Sequence, residues 1–178
     1  MSEDFLSGPN IRLRAVEPND IDILYHWEND TSIWRVSDTL TPFSRFQIEE
    51  YVMNTRKDIY AARQLRLMID LHNSVPEIQP IGSIDLFDFD PLHLRAGVGI
   101  LIREDYREKG YAGEALDLLK KYVFTTLHLH QLYCNIASDN EQSIRLFIKH
   151  GFEKCGIKKE WLRHENCWTD EWMFQCIP

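Results

Sequence analysis

Residues 100 to 115 read Ile-Leu-Ile-Arg-Glu-Asp-Tyr-Arg-Glu-Lys-Gly-Tyr-Ala-Gly-Glu-Ala. An apolar run ends, a basic turn containing glycine follows, and helical spacing begins. The first amides of a helix lack partners within it and carry partial positive charge. Such a turn therefore holds a phosphate through backbone N–H groups with few cationic side chains. Gly110, Ala112 and Gly113 are small enough to let an anion approach. An ordinary tight turn from strand to helix has the same composition. Two better-known phosphate motifs do not fit. No Gly-Lys-Ser/Thr ending is present, and Gly97-Val98-Gly99 lies inside a strand, with Leu101 and Ile102 where the third glycine of a dinucleotide fingerprint would stand.

Arg107-Glu108-Lys109-Gly110-Tyr111-Ala112 resembles the Gln/Arg-x-x-Gly-x-Gly/Ala signature of the GNAT superfamily of acyl-CoA-dependent N-acetyltransferases. Asp139-Asn140, Ser143 and Gly151-Phe152 resemble that family's second cofactor segment. Trp27-Glu28-Asn29-Asp30 resembles the end of the first helix in its spermidine and ribosomal-protein N-acetyltransferase branch. The resemblance runs from Ile11 to Phe174. It implies an α+β fold with a GNAT-like mixed, splayed central β-sheet flanked by helices, and residues 1–178 forming one acyltransferase domain. It also implies acetyl-CoA as co-substrate and a primary amine as acceptor, carried by a polyamine, a protein N-terminus or another small molecule. By the same resemblance, the amides of Glu108 to Gly113, Tyr111 and Ala112 included, take the CoA pyrophosphate, and Arg107 and Lys109 add charge. The strand Ile100-Leu101-Ile102 pairs with the pantetheine amides as an added strand would, which requires a gap in the sheet. Gly97 and Gly99 suit a bulge or a close approach there. Asn140 bonds the pantetheine arm and, as a favoured N-cap, also opens its own helix.

Acetyl transfer from a thioester to an amine needs a neutral amine, a polarised carbonyl and a proton for the departing thiolate. In the related branches the acid is usually a tyrosine in the helix after the asparagine, and a glutamate on the central strand often helps deprotonate the amine. Here those positions read Phe147 and Gly97. Helical spacing places Asn140, Ser143 and Phe147 on one face, so Phe147 is expected near the thioester, where a phenyl ring donates no proton. Three explanations stay open. Water carries both protons, with proximity supplying much of the acceleration. Alternatively another residue serves: Asp85, Asp88 or Asp90 as base, Tyr133, Cys134 or Ser143 as acid. The third is a non-catalytic acyl-CoA-binding or subunit-interaction protein of the same fold. On the closing hairpin, Trp168, Asp170, Trp172 and Phe174 alternate along one sheet face. Together with Trp161, Arg163 and His164 they suit an amine, a core or a homodimer contact.

These residues depend on elements that the spacing predicts. Ile11 to Val16 alternates as a half-buried strand, and Pro18-Asn19-Asp20 opens a helix carrying Ile21, Leu24 and Trp27 on one face. Thr41-Pro42 begins a second helix with Phe46, Ile48, Tyr51 and Val52 apolar, and Asp58 marks its end. Strands follow at Leu65 to Leu71, Ile81 to Phe89 and Arg95 to Ile102, with a loop from Pro76 to Pro80. Ala112, Ala115, Leu116, Leu119, Val123 and Leu127 then recur at helical period. A strand from Gln131 to Ala137, a helix from Asn140 to His150 capped by Gly151, and a hairpin turning at His164-Glu165-Asn166 complete the chain. The expected order is antiparallel strands first and βαβαβ after.

The 178 residues carry 20 Lys and Arg against 28 Asp and Glu, a net charge of −8 that disfavours a nucleic-acid partner. Residues 1–90 hold 8 basic and 16 acidic side chains, residues 91–178 hold 12 of each, so the first half carries all of the excess. An anionic cofactor on one half and a cationic acceptor on the other would divide charge in this way, as would a solvated acidic surface. No run approaches a membrane span, and Met1-Ser2-Glu3-Asp4 lacks the order of a signal peptide, so a cytoplasmic location is expected. Cys134, Cys155, Cys167 and Cys176 are spaced as reduced thiols. The seven histidines, of which only His128 and His130 are near neighbours, form no ligand set, so no metal is expected.

Overall fold

A computed structural model describes residues 5–37, 39–54, 58–72, 80–164 and 167–178. The strands are β1 (Ile11–Ala15), β2 (Leu65–Leu71), β3 (Pro80–Asp90), β4 (Arg95–Ile102), β5 (Gln131–Ala137), β6 (Glu153–His164) and β7 (Cys167–Cys176). The helices are α1 (Ile21–Glu28), α2 (Trp34–Ser37), α3 (Arg45–Asn54), α4 (Ile59–Ala62), α5 (Tyr111–Thr125) and α6 (Glu141–Lys149). One mixed sheet takes the order β1-β2-β3-β4-β5-β7-β6, antiparallel throughout except where β4 meets β5. The expected βαβαβ order is present along the chain as β4-α5-β5-α6-β6; in the sheet β7 inserts between β5 and β6, so only β4-α5-β5 joins neighbouring strands.

Alternation along the strands buries two different sets. Leu67, Ile69, Ile84, Leu86, Val98, Leu132, Cys134 and Phe174 pack under α5, whose buried face is Ala115, Leu116, Leu119 and Val123. Met68, on the other face of β2, joins Leu24 of α1 with Ile48 and Val52 of α3. Polar ties fix that second layer. Asp70, fully buried, accepts from Arg14 Nε at 2.7 Å, and Arg14 also forks onto Asp20 at 2.7 and 2.8 Å.

Two helix boundaries differ from the expected ones for readable reasons. α3 starts three residues after Pro42, because Ser44 and Gln47 form a reciprocal cap: Ser44 N donates to Gln47 Oε1 at 2.7 Å and Gln47 N to Ser44 Oγ at 3.2 Å. Phe46 consequently points outward. Asp58 opens a helix instead of ending one, accepting from Ala61 N at 2.9 Å at the start of α4. The expected loop at Pro76 and the turn at residues 164–166 fall outside the described residues, His164 excepted for its backbone. Among the described residues no helix is long and apolar enough to cross a membrane.

Candidate active site

The site begins where two parallel strands part. β4 and β5 pair only at Arg95–Gln131, Ala96–Leu132 and Gly97–Tyr133, although β4 runs on to Ile102 and β5 to Ala137. Beyond that vertex the sheet is open. A cleft of about 700 Å³ fills the fork, lined by Val98 to Leu101 on one arm and Cys134 to Ala137 on the other. The unpaired edge of β4 offers backbone groups to an extended amide chain, as one strand does to another. Ile100 and Leu101 face this space. Ile102 does not line it: its side chain is buried, and its carbonyl accepts from Arg107 Nε at 3.0 Å.

The wide end of the fork leads to the turn before α5. Glu108 (φ 60°) and Gly110 (φ 87°) are both left-handed, and a Cβ added to Gly110 would meet nothing within 4 Å. The turn is thus open to solvent at the residue where an anion must come close. The first amide taken up inside the helix is that of Glu114, donating to Gly110 O at 3.1 Å, so those of Tyr111, Ala112 and Gly113 precede the first intrahelical bond. Lys109 Nζ folds back to Asp105 O at 2.7 Å, and Arg107 is tied to β4, so both cations sit on the turn without projecting from it. Gly113 also has a packing reason to be small: a Cβ there would strike the His150 ring, which is oriented by Asp117 at 2.9 Å.

α6 closes one side. Asn140 caps it, accepting from Ser143 N at 3.1 Å, and Asn140, Ser143 and Phe147 all line the cleft as their spacing predicts. Phe147 is also core, 4% exposed and stacked edge-on against Phe152 with centroids 5.0 Å apart. Cys134 lines the cleft from the core side, and burial pushes its thiol well up from its ordinary range. Tyr133 is not brought to the cleft. It lies in a neighbouring depression, donates to Asp88 Oδ2 at 3.1 Å, and burial with the Asp88 charge pushes its hydroxyl up to about 12. Asp90 is occupied with its own turn, accepting from Leu92 N and His93 N at 3.0 Å, the His93 bond chiefly holding it low.

The far side of the cleft is acidic, and most of it was not expected. Glu28, Asp85 and Glu171 line it with Trp27 and Arg66. The Arg66 guanidinium forks onto Asp85 at 2.6 and 3.1 Å, bonds Glu28, and stacks over the Tyr51 ring. Burial works against its charge, and Asp85, Tyr51 and Glu28 together more than offset this, so its pKa is raised. Glu171, nearly buried, accepts from Lys158 Nζ at 2.6 Å. The closing hairpin thus contributes Glu171, on the face opposite the aromatics. Asp170 is pinned to Glu160 N and Lys159, Trp172 lies under Lys154, and Phe174 is core. Arg66 is the one cation in the apolar run Leu65 to Leu71, which was the available sequence signal.

Phe87 explains the bare central strand. It stands opposite Gly97, and a Cβ on Gly97 would land within its ring; the same ring passes 3.8 Å from where a Cβ on Gly99 would be. The expected close approach at the two glycines is therefore an aromatic side chain lying across β4.

Residues 10–153 match the Acetyltransferase (GNAT) domain family. The chain belongs to the GNAT acetyltransferases. It is 27% identical over 146 residues to the spermidine N(1)-acetyltransferase of Escherichia coli K12, covering 82% of this chain and 74% of that protein. It is 30% identical over 157 residues to YokL, an uncharacterized prophage-derived N-acetyltransferase of Bacillus subtilis 168, covering 88% and 83%. Its fold matches the crystal structure of spermidine N-acetyltransferase from Vibrio cholerae in complex with CoA and spermine, with a TM-score of 0.85 over 96% of both chains at 22% identity. Membership decides between enzyme and mere binding protein: this GNAT chain is an acetyl-CoA-dependent N-acetyltransferase. When bound, acetyl-CoA supplies the activated acetyl group. Among the described residues no cluster of His, Cys, Asp and Glu could hold a metal ion.

Proposed function

We propose that this enzyme acetylates a primary amine of a small polycation of the polyamine class, as residues 1–178 acting as one catalytic unit. The observation that carries the reading is the charge of the cleft: among the described residues Glu28, Asp85, Asp139 and Glu171 line it, and with Arg66 beside Asp85 and Lys158 paired to Glu171 the carboxylates remain in excess. A cleft with that excess concentrates cations and repels anionic acceptors. Relatives named for spermidine acetylation support the same class. The cofactor turn, the β4 edge and Asn140 hold acetyl-CoA. Ser143 stands beside Asn140 with its hydroxyl available to the leaving sulfur, whereas the Tyr133 contact with Asp88 makes that phenol a structural group.

Thiol release from acetyl-CoA with a panel of spermidine, spermine, a peptide N-terminus, an aminoglycoside and an amino acid tests this. The polyamines are expected to give the highest kcat/KM. Raising salt should raise their KM while leaving that of an uncharged amine much less changed. An acidic or neutral acceptor preferred over every polyamine would overturn the reading. We also propose a homodimer through the closing hairpin, where Ile157, Trp161 and Trp168 are exposed, and a cytoplasmic location, which the free cysteines support.

A further inference from the structure

The family's central-strand glutamate is replaced by Gly97, so the proton that the acceptor ammonium must lose needs another destination. The register of the sheet restricts the choice. Residues opposite each other on neighbouring strands point to the same face, and β3 sets Asp85 opposite Gly99. Gly99 lies two residues past the vertex of the fork, at the narrow end of the cleft. The anion turn lies beyond Ile102, at the wide end, so an extended arm along β4 brings its reactive end down to the vertex. Gly97 and Gly99 put no side chain of β4 in front of Asp85; the Phe87 ring lies over Gly97 and its edge passes beside Gly99, so it forms the wall of this space on the vertex side.

The other cleft carboxylates are placed for different work. Glu171 lies opposite Ala137, near the open end of β5, and is neutralised by Lys158. Asp139 precedes the cap of α6. Glu28 lies on the far side of Arg66. Of the carboxylates lining the cleft, Asp85 alone stands on β3, the strand paired with β4 beside the vertex. Arg66 occupies one lone pair on each of its oxygens, at 2.6 and 3.1 Å, which fixes the carboxylate plane and leaves the remaining lone pairs to accept from an ammonium.

We infer that Asp85 is the catalytic base of this enzyme, moved one strand over from the family position and held by Arg66 as a positioning residue. This rests on the amine-acetylation reading above. The ammonium proton passes to the Asp85 carboxylate and on to solvent. The freed nitrogen lone pair forms the C–N bond to the acetyl carbon, the C–S bond breaks with its electron pair leaving on sulfur, and the second proton that the nitrogen gives up as the amide forms is passed through solvent to that sulfur.

Asp85→Asn and Asp85→Ala test it, with three readouts: the acetyl-CoA-induced rise in melting temperature, spermidine affinity by calorimetry in the presence of CoA, and steady-state kinetics. The melting rise should persist in both. In Asp85→Asn, kcat should fall about a hundredfold or more with a far smaller change in spermidine affinity. In Asp85→Ala, formate should restore turnover in proportion to its concentration, since Arg66 is left facing a vacated carboxylate site. If the lone Arg66 charge unfolds either variant, Asp85→Asn/Arg66→Met removes both charges and should show the same kcat loss. Weakened spermidine binding at unchanged kcat, or no rescue by formate, would overturn the inference and leave Asp85 as an ammonium anchor. A wild-type protein that shows the melting rise but releases no thiol with any amine overturns the acceptor reading itself, and the base with it.

Discussion

Replacing Gly97 by alanine tests whether the bare face of β4 exists to seat the Phe87 ring. The added Cβ lands against Cε2, Cζ and Cδ2 of that ring, deeper than any van der Waals contact allows. Either the ring swings away or the strands shift. Phe87 borders the cleft, so the ring has somewhere to go, but it must leave its edge-to-face contact with Tyr133, whose centroid is 6.0 Å away. Overpacking costs about 1–3 kcal/mol, of which losing the aromatic pair accounts for about 0.5–1.5 kcal/mol. For a chain of this length, about 2 kcal/mol lowers the melting temperature by roughly 4–8 °C. The ring displaced into the cleft should also raise the acceptor's KM. The decisive measurement is a double-mutant cycle by denaturant unfolding with Phe87→Ala. Gly97→Ala should be close to neutral in that background, leaving a coupling of about 1.5 kcal/mol or more. Equal destabilisation in both backgrounds would mean that the backbone, and not the ring, excludes a side chain at residue 97. If the cycle behaves as expected, Phe87→Ala/Gly97→Glu restores the family's carboxylate in a space made for it, and it should recover part of the activity lost in Asp85→Asn.

Acetyl-CoA should raise the melting temperature of the wild type, and Gly110→Asp should abolish that rise, because it sets a carboxylate where the pyrophosphate approaches; Gly110→Ala, strained at φ 87° but uncharged, should lose about 1–2 kcal/mol of stability yet keep the shift. Phe147→Tyr should destabilise by about 1–3 kcal/mol in denaturant titration if its para edge is in the core, where the hydroxyl finds no partner, whereas a stable variant with raised kcat would show that the edge opens on the cleft. The Tyr133 hydroxyl, pushed up from 10.0 to about 12, adds stability that is complete below pH 10 and is lost as the pH rises towards 12. Thermal unfolding across that window should fall less steeply in Tyr133→Phe, and identical slopes would remove Asp88 and burial as the cause.

The side of the cleft proposed to hold the cofactor is legible in the sequence because its elements are local. The signature turn, the cap Asn140 and the α6 face of Asn140, Ser143 and Phe147 each lie within a few residues, and helical geometry places them without help from the rest of the fold. The acceptor side was not, because it is assembled by pairing across the sheet. Arg66 meets Asp85 over 19 residues and Glu28 over 38, and no spacing rule connects them. Register decides the closing hairpin in the same way. Its alternation identifies two faces correctly, but which one looks into the cleft depends on β7 lying beside β5, with Ala137 opposite Glu171. Gly113 has a second constraint that local spacing does not show: His150, from the end of α6, stands where a side chain at residue 113 would lie. The capped start of α3 was present in Ser44-x-x-Gln47 and outranks the Thr-Pro signal that precedes it.

The first turn of α5 also carries a charge that its ligand should resist. Glu114 stands one residue after Gly113, and a free carboxylate there would repel a pyrophosphate on the preceding amides. The N-terminal segment removes most of that conflict. Glu114 Oε1 accepts from the backbone N–H groups of Asn10 and Ile11 at 2.8 and 3.1 Å, and Oε2 from Asn10 Nδ2 at 2.9 Å, while the backbone at Gly8 passes so close that it has no room for a Cβ. Three donors draw the charge towards β1, away from the turn, and they fasten the head of α5 to that edge strand of the sheet. The acidic residue thus sets the direction of the helix, and the amides of Tyr111, Ala112 and Gly113 are left as the dominant field at its N-terminus. A phosphate site built from backbone in this way depends on how the helix is aimed more than on any cation near it, which is why Arg107 and Lys109 can be spent on holding the turn to β4 and to Asp105.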